Sequence, residues 1–207
     1  ITPSTVIYAP GSLKFGRRIY HDHLRRGHGH ITVYDAIERS SNIFFYKMGI
    51  ALGIDKIHSY ASLFGLGQLT HIKLSNEVPG LMPSRAWKLK AFGEEWQPGE
   101  NLSNAIGQGF VLTTALQMAI AYNAIGLEGK VVKPFLVKKI INYSGQVLQE
   151  FSPHIVRDIS QTPENPEDTF IEKKYFKVVK EAMRRVANGE HGTARWWKIP
   201  GGHIQIA

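Results

Sequence analysis

Three short helical patterns follow one another between residues 32 and 67, with almost no chain between them. Thr32 and Asp35 have the spacing of a capping box, which predicts the start of the first helix. Ser40 is predicted to cap the second helix, which runs through an apolar stretch to about Leu52. Apolar residues at helical spacing predict the third helix, which ends at two closely spaced glycines. The sequence therefore predicts three consecutive short helices with tight joints.

The rest of the chain predicts further helices and a small amount of β structure. Residues 1–31 are rich in His, Arg, Pro and Gly, and we interpret them as a His-rich loop excursion outside the core. The alternating polar and apolar residues of 203–207 predict the beginning of a sheet strand. The other predicted elements are a helix from Ser84 to about Ala91 with a Gly- and Pro-containing loop after it, a helix from Thr113 or Thr114 to Gly126, a β-hairpin excursion over 130–151, a surface linker over 152–168, and an amphipathic helix that ends at Asn188-Gly189.

Composition places the chain among folded, soluble domains. It has 207 residues, of which 43% are hydrophobic and 20% charged, and this is enough for one sizeable core. The net charge of +8 would favour an anionic partner, but the 25 Lys and Arg residues are scattered, so nucleic acid binding is not favoured. Cysteine is absent, which excludes disulfides and thiolate metal sites. No stretch approaches the roughly 20 apolar residues of a membrane span, so we expect any anchor or export signal to lie outside this sequence.

The stretch Ser40-Ser41-Asn42 has two interpretations. Hydroxyl and carboxamide oxygens ahead of a helical pattern accept hydrogen bonds from the unpaired N–H groups of the first turn, so these residues can serve as a helix cap. The same position also places short proton-carrying groups at the positive end of a helix, where they can act on a bound substrate. The residues alone leave both interpretations open.

Several separated motifs together resemble one family, the transpeptidase domain of class B penicillin-binding proteins, and within it the elongation-type members called penicillin-binding protein 2. The resemblance covers essentially the whole chain, 1–207, in order. The motifs that carry it are Asn-Ala-Ile-Gly-Gln-Gly at 104–109 followed by Thr-Thr-Ala-Leu-Gln-Met-Ala at 113–119, Ser-Ser-Asn at 40–42 with Phe-Phe-Tyr at 44–46, Gly-His-Gly at 27–29, and Met-Pro-Ser-Arg-Ala-Trp-Lys at 82–88.

Two motifs of that family are missing from this sequence. No serine has a lysine three positions later, so the family's Ser-x-x-Lys nucleophile motif is absent, and there is no Lys-Thr-Gly strand. The His-Gly-Thr-Ala stretch at 191–194 resembles Lys-Thr-Gly-Thr-Ala superficially, but it follows a helix terminator and we interpret it as a turn. The chain is therefore similar to the interval between the two missing motifs. The implied fold is α+β and predominantly helical: the all-α half of a transpeptidase fold with a β-hairpin and a truncated sheet strand.

The resemblance also implies a function for the whole protein. It would be a peptidoglycan D,D-transpeptidase that cross-links stem peptides ending in D-Ala-D-Ala through an acyl-serine intermediate and is acylated by β-lactams. Ser40 would relay a proton and Asn42 would position the catalytic lysine and the substrate amide, with Ser41 as a spacer. We expect the 207 residues alone to be inactive. The implied location is the periplasmic face of the bacterial cytoplasmic membrane, where a glycosyltransferase and other elongation-complex proteins would be partners.

Histidines and one carboxylate cluster between residues 21 and 30, and such ligands suit zinc. Some elongation-type relatives tie down this loop with metal, through positions that resemble Asp22 and His28. At the positions of the further ligands this sequence has Ala9 and Ser41, so we expect no metal to be required. Two alternatives to the enzyme remain: a zinc-binding protein that uses the His cluster, and a non-catalytic binding or scaffolding module with a basic surface.

Overall fold

The computed structural model describes residues 2–165 and 168–197. The strand predicted over 203–207 lies outside these residues. The described elements are β1 (Ile7–Ala9), β2 (Ser12–Phe15), β3 (Arg18–His21), β4 (Gly29–Ile31), α1 (Val33–Glu38), α2 (Asn42–Leu52), α3 (Ile54–Leu63), α4 (Arg85–Phe92), α5 (Glu100–Ala105), α6 (Ala115–Gly126), β5 (Lys130–Lys133), β6 (Lys139–Ile141), β7 (Val147–Glu150), β8 (His154–Asp158) and α7 (Lys173–Asn188), followed by a 3-10 turn at Arg195–Trp197.

The chain forms two compact units. The first comprises the described residues within 1–58, 83–111 and 174–207, and the second comprises those within 59–82 and 112–173. The Ser-Ser-Asn stretch and the histidine cluster both belong to the first unit.

Helix α2 is the centre of the first unit. Its residues Ile43, Phe44 and Tyr46 are buried in the main hydrophobic cluster, because apolar side chains occur almost all round this helix. Helix α5 packs closely on α2 at Gly49: a Cβ atom there would lie 2.5 Å from the Cβ of Ala105. The position therefore requires glycine. The sequence predicts a loop for this segment, whereas the structure has the six-residue helix α5 there.

The interpretation of residues 1–31 as an excursion outside the core is wrong. Strand β1 pairs antiparallel with β4, and β2 pairs antiparallel with β3 in a hairpin. Ala9 and Ile31 are almost completely buried in the same cluster as α2. In addition, the Lys47 ammonium of α2 donates to the carbonyl oxygen of Tyr8 at 2.7 Å. The N-terminal strands therefore form one wall of the core that holds α2.

The second unit contains α6 and four strands. The predicted hairpin exists only in part: β6 pairs with β7 around a turn at Gly145, whereas β5 pairs antiparallel with β8. Strand β8 lies within the segment interpreted as a surface linker. The buried amide of Gln117 in α6 donates to the carbonyl oxygens of Gln68 and Pro79 at 2.6 and 2.7 Å, so it fixes the long loop after α3.

Helices dominate the described chain and the sheets are two-stranded, so the predicted α+β, predominantly helical class is confirmed. Among the residues that the structure describes, no helix has the length and apolar character needed to cross a membrane.

Candidate active site

Ser40 lies in the joint between α1 and α2 and has a left-handed backbone, with φ of +54°. Its N–H donates to the carbonyl oxygen of Ile37, and the N–H of Ser41 donates to that of Ala36, at 3.2 and 2.9 Å. These two bonds form a Schellman motif, in which the left-handed position is usually glycine. A serine there keeps a hydroxyl on an exposed, sharply turned segment, at a cost in backbone strain.

The cap of α2 is Ser41, and the prediction that Ser40 caps this helix is wrong. The Ser41 hydroxyl accepts the N–H of Phe44, as an N-cap does. Ser41 is completely buried, whereas Ser40 is exposed. The two neighbouring hydroxyls thus point to different environments, and Ser41 is more than the spacer it was predicted to be.

Asp22 connects the loop between β3 and β4 to the start of α2. One carboxylate oxygen accepts the Ser41 hydroxyl at 2.9 Å and the Ile43 N–H at 3.1 Å. The other lies 2.9 Å from His23 Nδ1 and 3.3 Å from His28 Nε2. Burial alone would raise the pKa of Asp22, but the hydrogen bonds from Ile43 and Ser41, together with His28, outweigh it and lower the pKa. Asp22 therefore holds the N-terminus of α2 as a charged, fully bonded carboxylate.

Asn42 is the first residue of α2 and is partly exposed. Within residues 2–165 and 168–197, its side-chain amide is assigned no hydrogen bond. Ser40 and Asn42, the two predicted catalytic residues, therefore both offer polar groups next to the same helix terminus. Their catalytic roles stay predictions.

A turn after α7 touches the same joint. The Ser40 Oγ lies 3.1 Å from the Thr193 Oγ1, a distance at which either hydroxyl can donate. Helix α1 holds this turn from Glu38: its carbonyl oxygen accepts the Thr193 N–H at 3.2 Å, and its carboxylate accepts the His191 N–H at 3.1 Å. The prediction that 191–194 forms a turn is confirmed. The contact with Ser40 was missed, since nothing in the sequence links positions 153 residues apart.

The histidine cluster brings three possible metal ligands together. Donor atoms of Asp22, His23 and His28 lie within 4.8 Å of one another. The structure therefore adds His23 to the two predicted candidate ligands, Asp22 and His28. A closed structural zinc site usually needs four ligands. Ser41, where the resemblance implies a further ligand, donates its hydroxyl to Asp22. The donor set thus does not complete a closed zinc site.

Comparison with known proteins agrees with the motifs. The model of the penicillin-binding protein transpeptidase domain matches residues 2–206. The peptidoglycan D,D-transpeptidase MrdA of Salmonella typhimurium strain SL1344 is 37% identical over 195 residues, which are 93% of this chain and 30% of the relative. The chain therefore spans less than a third of the length of that relative.

Two solved structures share the fold. Penicillin-binding protein 2 of Pseudomonas aeruginosa, in complex with WCK 5153, is 32% identical with a TM-score of 0.78, and the match covers 95% of this chain and 40% of that one. Penicillin-binding protein 2 of Helicobacter pylori, in complex with MreC, is 30% identical with a TM-score of 0.79, and the match covers 99% of this chain and 34% of that one.

The family match over nearly the whole chain, the identity to MrdA and the shared fold agree with one another. The chain belongs to the family of penicillin-binding protein transpeptidase domains, in its penicillin-binding protein 2 branch.

Proposed function

We propose that this chain is a segment of a serine-type peptidoglycan D,D-transpeptidase, which joins stem peptides and is acylated by β-lactams. The observation that carries the proposal is the exposed Ser40 hydroxyl, fixed between two helices in a conformation that a serine adopts at a cost. An N-cap role does not explain this serine, because Ser41 is the N-cap of α2. Glu128, after α6, has the same left-handed conformation, so the hydroxyl of Ser40 and the family match over residues 2–206 support the proposal rather than the strain alone.

In the proposed reaction, a nucleophilic serine outside these residues attacks the carbonyl carbon of the penultimate D-Ala, and the terminal D-Ala leaves as an amine. The proton of the nucleophile passes to a neighbouring lysine, and Ser40 carries a proton from that lysine to the leaving nitrogen. A hydroxyl suits this role because it accepts and donates at once. Asn42 holds the lysine and the substrate amide with its carbonyl and NH₂ groups.

A labelled penicillin tests this function in a complete transpeptidase that carries these residues between its nucleophile motif and its Lys-Thr-Gly strand. We expect a covalent adduct, and we expect Ser40→Ala to slow acylation by about 10²- to 10⁴-fold, the usual contribution of one positioned proton-transfer group. Absence of an adduct in the unmodified protein would favour a non-catalytic scaffolding module. For the 207 residues alone we expect no adduct.

We further propose that the complete protein acts at the periplasmic face of the cytoplasmic membrane. The Helicobacter pylori relative was solved in a complex with MreC, and another related structure is described as a peptidoglycan synthase complex. Elongation-complex proteins, including a glycosyltransferase, are therefore the proposed partners. Copurification with membrane-anchored partners after crosslinking in cells would test this.

We also propose that no metal is required, because Asp22 already joins the loop to α2 through hydrogen bonds from Ser41 and Ile43. If zinc did bind here, Asp22, His23 and His28 would hold it and it would stiffen this loop. Metal analysis after dialysis, with melting in the presence and absence of a chelator, tests the proposal. Stoichiometric zinc with a lower melting temperature after chelation would refute it.

A further inference from the structure

A cavity of about 540 Å³ opens beside Ser40 in the first unit. Arg39, which directly precedes Ser40, lines it, and so does Thr193, whose hydroxyl contacts the Ser40 hydroxyl. Its other polar walls come from the β3–β4 loop and from the turn after α7. We propose that this cavity binds a carboxylate of the stem peptide, at a point away from the D-Ala-D-Ala end. The proposal rests on the proposed transpeptidase function.

The first argument is charge. Arg26, Arg39 and Arg195 all line the cavity, and none of the described lining residues is Asp or Glu. Each guanidinium carries several N–H donors in a planar arrangement. Such a concentration of one sign of charge inside a concave wall attracts an anionic group and raises its local concentration.

The second argument is that protein carboxylates leave these guanidinium groups largely unneutralised. The Nε atom of Arg39 is buried without a hydrogen-bond partner among the described residues. Its nearest carboxylate oxygen, on Asp35, lies 4.0 Å from Nη2, at the limit of an ion pair. Within 2–165 and 168–197, Arg195 donates to the carbonyl oxygen of Glu190 at 2.7 Å and forms no ion pair, and its guanidinium lies over the ring of Trp196. Arg26 and Arg195 are exposed and form no ion pair with a carboxylate among the described residues, so their guanidinium groups are available to an anionic ligand.

Arg26 completes the argument, because it lies in a fixed turn. The N–H of Gly27 donates to the carbonyl oxygen of Leu24 at 2.8 Å, and the N–H of His28 donates to that of Ala9. Arg26 has no salt bridge within the described part of the chain. The backbone of this loop therefore presents a free guanidinium to the cavity.

The ligand class follows from geometry and from the reaction. A guanidinium presents parallel N–H groups that match the two oxygens of a carboxylate. A volume of about 540 Å³ is within the usual range for ligand sites, so it accommodates a peptide side chain with its carboxylate. Because the cavity adjoins Ser40, which in the proposed reaction acts on the leaving nitrogen of the donor peptide, the bound carboxylate would select the donor peptide.

The test compares two synthetic pentapeptides that end in D-Ala-D-Ala, one with a free internal carboxylate and one with that group amidated. In a complete transpeptidase that carries this chain, kcat/KM is expected to be higher for the acidic peptide. We expect Arg26→Gln to lower the ratio of kcat/KM for the acidic peptide to kcat/KM for the amidated peptide by about tenfold or more, the usual effect of losing one charge-assisted hydrogen bond. Arg26→Lys should retain part of the preference, because it keeps the charge.

Arg25→Gln is the matched control. Arg25 is the exposed neighbour of Arg26 and contacts His21, and it does not line the cavity. Arg25→Gln should leave this ratio at the value of the unmodified protein. An equal loss for both peptides in Arg26→Gln, or the same ratio in both variants, would overturn the proposal.

Calorimetric binding of the two peptides separates this proposal from the proposed function, since binding needs no acylation. Tighter binding of the acidic peptide, lost in Arg26→Gln, supports the cavity even if penicillin labelling fails. Equal binding of both peptides by a protein that penicillin labels would overturn the cavity and leave the transpeptidase function intact.

Discussion

Replacing Ser40 separates its backbone strain from its chemistry. Ser40→Gly and Ser40→Ala both remove the hydroxyl and its contact with Thr193, so they differ mainly in how well the residue tolerates a φ of +54°. A left-handed conformation costs a residue with a Cβ about 1–2 kcal/mol. Glycine avoids this cost but loses about 0.5–1 kcal/mol more in conformational entropy on folding.

The difference between these terms predicts that Ser40→Gly is more stable than Ser40→Ala by about 0.5–1 kcal/mol. In a domain of this size, 1 kcal/mol corresponds to a shift of about 2–4 °C in the melting temperature. Urea denaturation of both variants in a complete transpeptidase measures the difference, provided that the m-values agree.

Activity gives the second half of the prediction. If Ser40 relays a proton, both variants lose about 10²- to 10⁴-fold in acylation by penicillin, although one of them is the more stable protein. A Ser40→Ala protein at least as stable as Ser40→Gly would refute the strain argument. Acylation of either variant at the rate of the unmodified protein would refute the relay.

Three further substitutions test the surroundings of this joint. Gly49→Ala should destabilise the fold by about 1–3 kcal/mol, because the added Cβ has no room against α5. Gly126→Ala in α6, where a Cβ meets nothing within 4 Å, should be neutral or slightly stabilising, and thermal melting compares the two variants. Ser41→Ala should lower the free energy of unfolding by about 1–3 kcal/mol, because the helix cap and the hydrogen bond to Asp22 are both lost. In an Asp22→Ala background the same substitution should lower it by less, which a double-mutant cycle in urea would measure. Burial alone would raise the pKa of Asp35, but hydrogen bonds from Thr32 outweigh it and lower the pKa. The contribution of Asp35 to stability is therefore present above about pH 4 and is lost as the pH falls through the lowered pKa. Melting curves should show Asp35→Asn to be less stable than the unmodified protein at pH 7, with a difference that disappears below about pH 4.

The sequence predicted the helices that carry their own start and stop signals. The Thr32–Asp35 box, the Ser84 cap and the Thr114 cap all lie where the local rules place them. Such signals act within one turn, so they are readable without knowledge of the fold. The Ser40 cap failed because two adjacent hydroxyls satisfy the same local rule, and the partner that selects Ser41 is Asp22, nineteen residues away.

The missed elements depend on distant contacts. Helix α5 has only six residues and packs against α2, so tertiary packing rather than a local pattern stabilises it. Strand β5 pairs with β8 across the whole β6–β7 hairpin, whereas hairpin rules favour the nearest partner. The sequence predicts a turn at Thr193, but only the hydrogen bonds from that turn to Glu38 bring Thr193 to Ser40.

The strain at Ser40 persists because both of its neighbouring elements are fixed independently. On one side, α1 ends in a Schellman motif whose two hydrogen bonds require a left-handed residue at this position. On the other side, the buried Ser41 is fixed to Asp22 and caps α2, so the chain cannot relax by shifting the helix start. A hydroxyl held this way pays no ordering entropy when a substrate binds, which is the advantage that preorganisation gives a proton relay. Weakening the buried Ser41 anchor should therefore reduce acylation even though Ser41 itself carries no proton in the proposed reaction, and its effect on kcat should exceed its effect on the binding of substrate.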